Sequence, residues 1–212
     1  MRIEQSIAFA KRSLLCVQPQ EDYRAALRRS LREHDLVMVP NAFEAVRALN
    51  ARPHDAYVLD YWLPDWSGAS LCRQIRRGDP HALICFFTGA ASPEHKKRAL
   101  RAGARAYSCE LDDASALGSK LRKLLEHADI CALRAKSQLE QAVHEVVEGR
   151  AAAVARLSGH ARECAARTLE RAAHVRAREA FIEAGGTLAS FDRWWPHAFG
   201  SIVANYLAST AV

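Results

Sequence analysis

The chain has 212 residues, half of them hydrophobic, which is enough for one large domain or one domain with a smaller module. Its net charge of +6 is spread out, with 17 basic and 13 acidic residues in 1–112 and 13 and 11 in 113–212, so an anionic partner is permitted but not demanded. No apolar run is long enough to cross a bilayer and no secretory leader pattern is present, which points to a soluble cytoplasmic protein with no membrane partner. The six cysteines (16, 72, 85, 109, 131 and 164) form no CxxC pair, and several sit in apolar runs, as reduced core cysteines do.

In chain order, the first strand is predicted at Ser13–Val17, and Gln20–Glu33 follows with helical spacing. Tyr23, Ala26, Leu27 and Leu31 lie on one side of that helix. Further strands are predicted at Leu36–Val39, Ala56–Leu59, Leu83–Phe87 and Arg105–Ser108. Helices are predicted at Ala42–Asn50, Ser67–Arg76, Pro93–Ala102 and from Asp113 on. Short apolar strands separated by helices argue for a doubly wound five-stranded parallel sheet, an α/β fold followed by an all-α C-terminal region. In such sheets the site forms at the carboxyl ends of the strands, here Gln18-Pro19, Asp60, Thr88 and Cys109-Glu110.

The stretch "DAYVLDYWLPDWSGASLCRQIR" closes a strand with Asp60, with Pro64 four residues on and Gly68 eight residues on. "LICFFTGAASPEHKKRALRAGARAYSCE" has a strand ending in Thr88, an "ALRAGA" helix end and Tyr107. Together these resemble the receiver domain of bacterial response regulators, over roughly the first 127 residues, with the flavodoxin-like fold that this implies. The resemblance implies Asp60 as phosphoacceptor, Thr88 as the hydroxyl that follows the phosphoryl group and Tyr107 as a switching aromatic. It also implies two acids at the end of the first strand to hold Mg²⁺, and a lysine at the end of the fifth. Those positions are Gln18, Pro19 and Glu110.

Taking Glu21-Asp22 as the missing acids would force Pro19 into a strand, where it removes a ladder donor, so the register stands. A site with Asp60 and Glu110, no lysine and few oxygen ligands should not hold Mg²⁺, and a phosphoryl group would add about two more negative charges. Phosphoryl transfer needs cationic neutralisation, so the expectation is an atypical receiver, not an enzyme, that works without phosphorylation and without any cofactor. An unconventional phosphoprotein still using Asp60 is the lesser alternative. Two unneutralised carboxylates should raise one pKa. Trp62 and Trp66 offer either a binding surface or lid, or local core packing, the latter being preferred.

Beyond Asp113 the helix continues. Leu117, Leu121, Leu124, Ala128, Cys131 and Ala135, then Leu139, Ala142 and Val146, have coiled-coil-like spacing that suggests a homodimer, with an intramolecular hairpin as the alternative. Breaks are expected at Gly149 and Ser158-Gly159. The expected organisation is a receiver-like domain at 1–127, a helical linker or dimerisation segment at 128–160 and a helical output module at 161–212.

Seven arginines and two glutamates lie between Arg150 and Arg178. Arg167, Arg171 and Arg178 share one helix face, with His160 and His174 nearby. Beside them runs an apolar stripe of Ala161, Cys164, Thr168, Ala172 and Val175. The basic stripe either tracks phosphates or, the preferred meaning, is a solvated face. His127/Cys131 and His160/Cys164 are i,i+4 pairs that could supply metal ligands, but nothing forces them together, and no metal site is expected.

The segment "AREAFIEAGGTLASFDRWWPHAFGSIVANYL" resembles a Fis-type helix-turn-helix: a helix stop at Gly185-Gly186-Thr187, a short helix at Leu188–Trp195, a turn, and a recognition helix at Ala198–Leu207. It departs from that pattern at Pro196 and in having no lysine or arginine on the last helix, leaving Arg193, His197, Ser201 and Asn205 as polar contacts. The module is then a DNA reader, a worn one recruited for protein contact, or a helical cap. The expectation is a two-component signalling protein acting in transcriptional control through DNA, with a sensor kinase or another regulator as possible partner. The alternative is a protein-interaction adaptor with no DNA binding.

Overall fold

The computed structural model describes residues 11–109 and 114–209, and within the last helices it leaves out the side chains at 149, 151, 152, 155, 197, 198, 200, 201 and from 203 on. The chain divides into two compact units, Met1–His127 and Ala128–Val212.

In the first unit, strands β1 (Ser13–Val17), β2 (Asp35–Val39), β3 (Ala56–Leu59), β4 (Ile84–Phe87) and β5 (Ala106–Ser108) form one parallel sheet in the order β2-β1-β3-β4-β5. The connecting helices are α1 (Glu21–Ser30), α2 (Ala42–Ala51), α3 (Gly68–Gly78) and α4 (Pro93–Arg101). Alternation along each strand divides the core. Leu15, Val17, Tyr57, Leu59, Ile84 and Phe86 form one cluster with Ala42, Ala45, Leu71, Cys72, Ile75 and Ala99 from α2, α3 and α4. The other set, Leu14, Cys16, Val58, Cys85 and Phe87, is equally buried, as are Leu27 of α1, Leu31 at its end, and Leu117 and Leu121 further along the chain. Tyr23 of α1 meets Phe87 edge-on at 5.2 Å. Cys16, Cys72 and Cys85 are free and buried, and burial pushes their thiols up to about 12, 11 and 12, which makes them inert core residues.

The order places β1 beside both β2 and β3, so the crossover direction reverses between β1 and β3. The carboxyl ends of β1, β3 and β4 therefore meet at one crevice.

Helix α5 runs from Ala114 to Ala155, straight through Gly149, where a break was expected. A lone glycine costs a helix only about 1 kcal/mol, and the alanines at 151–153 that follow are strong helix formers. The break falls at Arg156-Leu157-Ser158, and Gly159 adopts φ +53° as α6 (Gly159–Glu183) begins. Leu117, Leu121, Ala135, Leu139 and Ala142 are buried within the single chain, while Leu124, Ala128, Cys131 and Val146 are half-buried. Each of these positions is thus at least half-buried by the chain's own residues. Ile130 and Leu133 of the same helix are exposed.

The second correction lies at Pro196. Leu188–Ser209 is one helix, α7, with Pro196 inside it, and the expected turn is absent. An interior proline costs about 3 kcal/mol. Against that cost, Phe191, Trp195 and Phe199 stack at i, i+4 and i+8, with centroids 5.7 and 5.0 Å apart. His174 of α6 meets the rings of Phe191 and Trp195 edge-on at 5.2 and 4.9 Å. This aromatic ladder holds the helix through the proline.

Where α6 stops, the expected Gly-Gly-Thr device is formed. Gly185 takes φ +95°, the Gly186 N–H bonds the Phe181 carbonyl at 3.0 Å, and Thr187 Oγ1 accepts the Ser190 N–H at 3.2 Å.

Candidate functional site

Asp60 follows β3 and is only 3% exposed, anchored by its own N–H on the Val17 carbonyl at 2.8 Å. Thr88, fully buried after β4, donates its hydroxyl to Asp60 Oδ1 through a short hydrogen bond, and the Trp62 N–H reaches the same oxygen at 3.3 Å. The Ala90 N–H bonds Thr88 Oγ1 at 3.2 Å, and the Tyr107 hydroxyl donates to the Ala90 carbonyl. A continuous chain of contacts therefore runs from Tyr107 through Ala90 and Thr88 to Asp60. The Tyr107 ring stacks on Phe86 at 5.8 Å, and burial first, then the nearby Cys109, Tyr61 and Asp60, push its hydroxyl up to about 12. Tyr107 is thereby held inward as a neutral donor.

The strand-one position is where the site differs from the implied pattern. Gln18 is 1% exposed; its Nε2 donates to the Phe87 carbonyl at 3.2 Å and its Oε1 accepts the Gln20 N–H at 3.1 Å. The amide is thus a neutral strut between the ends of β1 and β4, with both ends satisfied. Arg24 of α1 donates to the carbonyls of Gln18 and Pro19 at 3.0 and 3.1 Å. A guanidinium therefore already covers the oxygens that the β1–α1 loop presents. Mg²⁺ demands a near-octahedral oxygen set and is usually held through carboxylates. An amide whose oxygen is engaged, a proline and two carbonyls under a cation do not fit it. Among the described residues no group of three or more His, Cys, Asp or Glu side chains is placed to hold a metal.

Burial raises the Asp60 carboxyl above the usual carboxylate range, against the hydrogen bonds from Thr88, the N–H groups of Trp62 and Tyr61, and Gln18. Like-charge repulsion was the expected cause; desolvation takes its place. Glu110, the other carboxylate in that argument, lies outside the described residues.

The tryptophans also depart from the preferred expectation, since Trp62 and Trp66 are 60% and 45% exposed and belong to the surface. Trp62 is held edge-on to Tyr61 and His95 at 5.2 and 5.1 Å. Its backbone pairs across the loop with Ser67. Arg24 and His95 were not singled out from the sequence. Arg24 sits four residues past the loop it covers, and which carbonyls it reaches is set by how α1 turns back over the end of β1.

In the second unit, Arg167, Arg171 and His174 line a groove of about 470 Å³ with Glu170, Val175 and Trp195. Arg178 lies near Asp192, whose carboxyl burial raises against the influence of His174 and Arg178. Arg193 is half-buried and donates to Ser190 Oγ at 3.4 Å, so it is turned along its own helix. Ala161, Cys164, Thr168 and Val175 are exposed, and α6 buries Leu169, Ala173, Ala177 and Phe181 instead. The side chains of His197, Ser201 and Asn205 lie outside the described residues.

Residues 14–107 match the family model described as Response regulator receiver domain. Among solved structures, a CheY-like receiver domain protein from Methanospirillum hungatei JF-1 is 22% identical, with a TM-score of 0.52, covering 56% of this chain and 96% of that one. The signal receiver domain of an HD domain-containing protein from Pseudomonas fluorescens Pf-5 is 25% identical, with a TM-score of 0.52 and coverages of 56% and 97%. A LuxR-family two-component response regulator from Aurantimonas sp. SI85-9A1 is also 25% identical, with a TM-score of 0.51 and coverages of 56% and 87%. No curated protein matches. Residues 14–107, which include Asp60 and nearly all of the five-stranded sheet, thus match the response regulator receiver domain in both family model and fold.

Proposed function

We propose that the chain is a two-component signalling protein, not an enzyme, whose receiver acts through protein contacts without Mg²⁺-dependent phosphorylation. The observation that carries this reading is Gln18. A buried amide, satisfied on both sides by Phe87 and the Gln20 N–H, stands where a metal ligand is implied. Without a metal, the charge that develops on a transferring phosphoryl group loses the cation that would neutralise it. Asp60 and Thr88 then serve as a buried hydrogen-bonded pair that ties β3 to β4.

For the output, protein contact is better supported than DNA reading. The uninterrupted α7 lacks the turn on which a helix-turn-helix docks its recognition helix. The DNA reading keeps one supporting observation, the exposed Arg167 and Arg171 on the rim of the Trp195 groove. Phosphate contacts of that kind give affinity that falls steeply with salt and carry no sequence information. Titrating the intact protein into labelled random and genomic duplexes should therefore give weak binding at low salt only, abolished alike on all sequences by Arg167→Ala/Arg171→Ala. Tight, sequence-selective binding that survives the double substitution would reinstate a transcription regulator.

A further inference from the structure

Between the β3–α3 loop, α3 and α4 lies a groove of about 360 Å³ lined by Tyr61, Trp62, Ser67, Ala69, Arg73, Arg98, Arg101 and Ala102. Arg73 belongs to α3, whereas Arg98 and Arg101 stand one turn apart on α4, so guanidinium groups flank the groove from both walls. All three arginines are exposed, and among the described residues no carboxylate pairs with them. The nearest acid on α4, Glu94, is taken by Lys97 at 3.0 Å.

The floor beside these charges is apolar and fixed. Ala69 and Ala102 are buried, and Tyr61 is 4% exposed with its ring tilted on His95 at 4.4 Å. His95 Nδ1 is buried with no hydrogen-bond partner among the described residues. Trp62 projects over this floor, its N–H held by Asp60 and its strand bridge by Ser67. A tryptophan placed in advance beside arginines that no described carboxylate pairs, Arg73 donating only to Ser70 Oγ at 3.0 Å, combines the two residue types that dominate interface energetics, at little ordering cost.

We infer that this groove docks an acidic linear segment of a partner protein, an apolar side chain seating against Trp62 and carboxylates reaching Arg73 on one wall and Arg98 and Arg101 on the other. Guanidinium groups on two separate helices suit charges spaced along a chain better than one compact anion, and each can take a carboxylate in bidentate fashion. The inference rests on the protein-contact reading above and names its partner chemistry. The link from Trp62 to Asp60 would let occupancy of the groove bear on the same buried pair that phosphorylation addresses in a metal-binding receiver.

The test is fluorescence anisotropy of a fluorescein-labelled peptide of alternating Glu-Asp and Leu-Phe pairs, titrated with the full chain. Saturable binding that weakens with salt is expected, reduced about tenfold or more by Arg98→Ala/Arg101→Ala and by Trp62→Ala. Lys96→Ala, a cation on the same helix that neither lines the groove nor holds Glu94, should change nothing. These positions are exposed, so the variants should fold, which their melting temperatures check. Equal binding of the Gln-Asn version of the peptide, equal loss in Lys96→Ala, or no binding at low salt would overturn the assignment. So would displacement by adenosine monophosphate or inorganic phosphate at concentrations below the peptide's own dissociation constant. A phosphorylatable protein that still binds the peptide would refute the phosphate-independent reading and leave the groove standing, so the two failures are distinguishable.

Discussion

Gly68→Ala is expected to destabilise the receiver by about 3 kcal/mol or more, enough to lower its melting temperature by roughly 10 °C. A Cβ at Gly68 would sit 1.9 Å from the Asp60 carbonyl oxygen and 3.0 Å from Phe86 Cε1. Neither can retreat cheaply. The first is backbone just after β3, and the second belongs to a fully buried ring in the core cluster. The Gly68 N–H also bonds the Tyr61 carbonyl at 2.9 Å, so a shift there pulls on the loop that positions Trp62 and Asp60. Gly78, at the other end of α3, has nothing within 4 Å of its would-be Cβ. Gly78→Ala should therefore be neutral or stabilising by up to about 1 kcal/mol. Thermal unfolding of the two variants beside the parent separates a close-contact glycine from a dispensable one. Equal melting temperatures would show that the loop yields and that Gly68 does not set the site.

Gly186→Ala should have a comparable effect on the helical unit. Its Cβ would lie 2.1 Å from Phe181 Cε1, and Phe181 is fully buried against Phe191, with ring centroids 5.8 Å apart. Overpacking of this kind costs typically about 1–3 kcal/mol, and more where the ring has nowhere to go. The clash is with one side chain, so the cost should be strongly non-additive. In a Phe181→Ala background, itself destabilised by about 3–5 kcal/mol, Gly186→Ala should add little. Denaturant melts of the four proteins close that cycle. Additivity would mean that Gly186 is needed for its backbone alone.

Most of the receiver was legible because each strand is apolar and each connection has a punctuating residue. Ser13–Val17 and Ala56–Leu59 are strands to the residue, since both are continuous buried runs bounded by polar groups. The helix after β1 is shorter than its spacing suggests, ending at Ser30, with Leu31 still buried as its cap. The acceptor site was legible as positions, not as contacts. That Gln18 and Pro19 stand where the resemblance implies acids is visible in the string. That the Gln18 amide is a satisfied strut, and that Arg24 covers the loop carbonyls, depends on geometry between elements far apart in the chain.

The helical half misled where local rules were overridden by packing. Gly149 and Pro196 both read as breaks, and both lie inside helices, the second held by an aromatic ladder that partly borrows His174 from α6. The stripe from Ala161 to Val175 read as apolar, yet the buried face of α6 is one position away, on Leu169, Ala173, Ala177 and Phe181. Small residues on both faces left the period ambiguous there, and only the larger Phe181 and Leu169 mark the inner one.

The central claim, that the acceptor site is closed to metal-assisted phosphorylation, is tested most directly by the intact mass of the protein after incubation with acetyl phosphate and millimolar Mg²⁺. Asp60→Asn and a receiver of unaltered acidic pair serve as controls. The account predicts no adduct on this protein under conditions that phosphorylate the control receiver fully. A stoichiometric adduct that disappears in Asp60→Asn would contradict it.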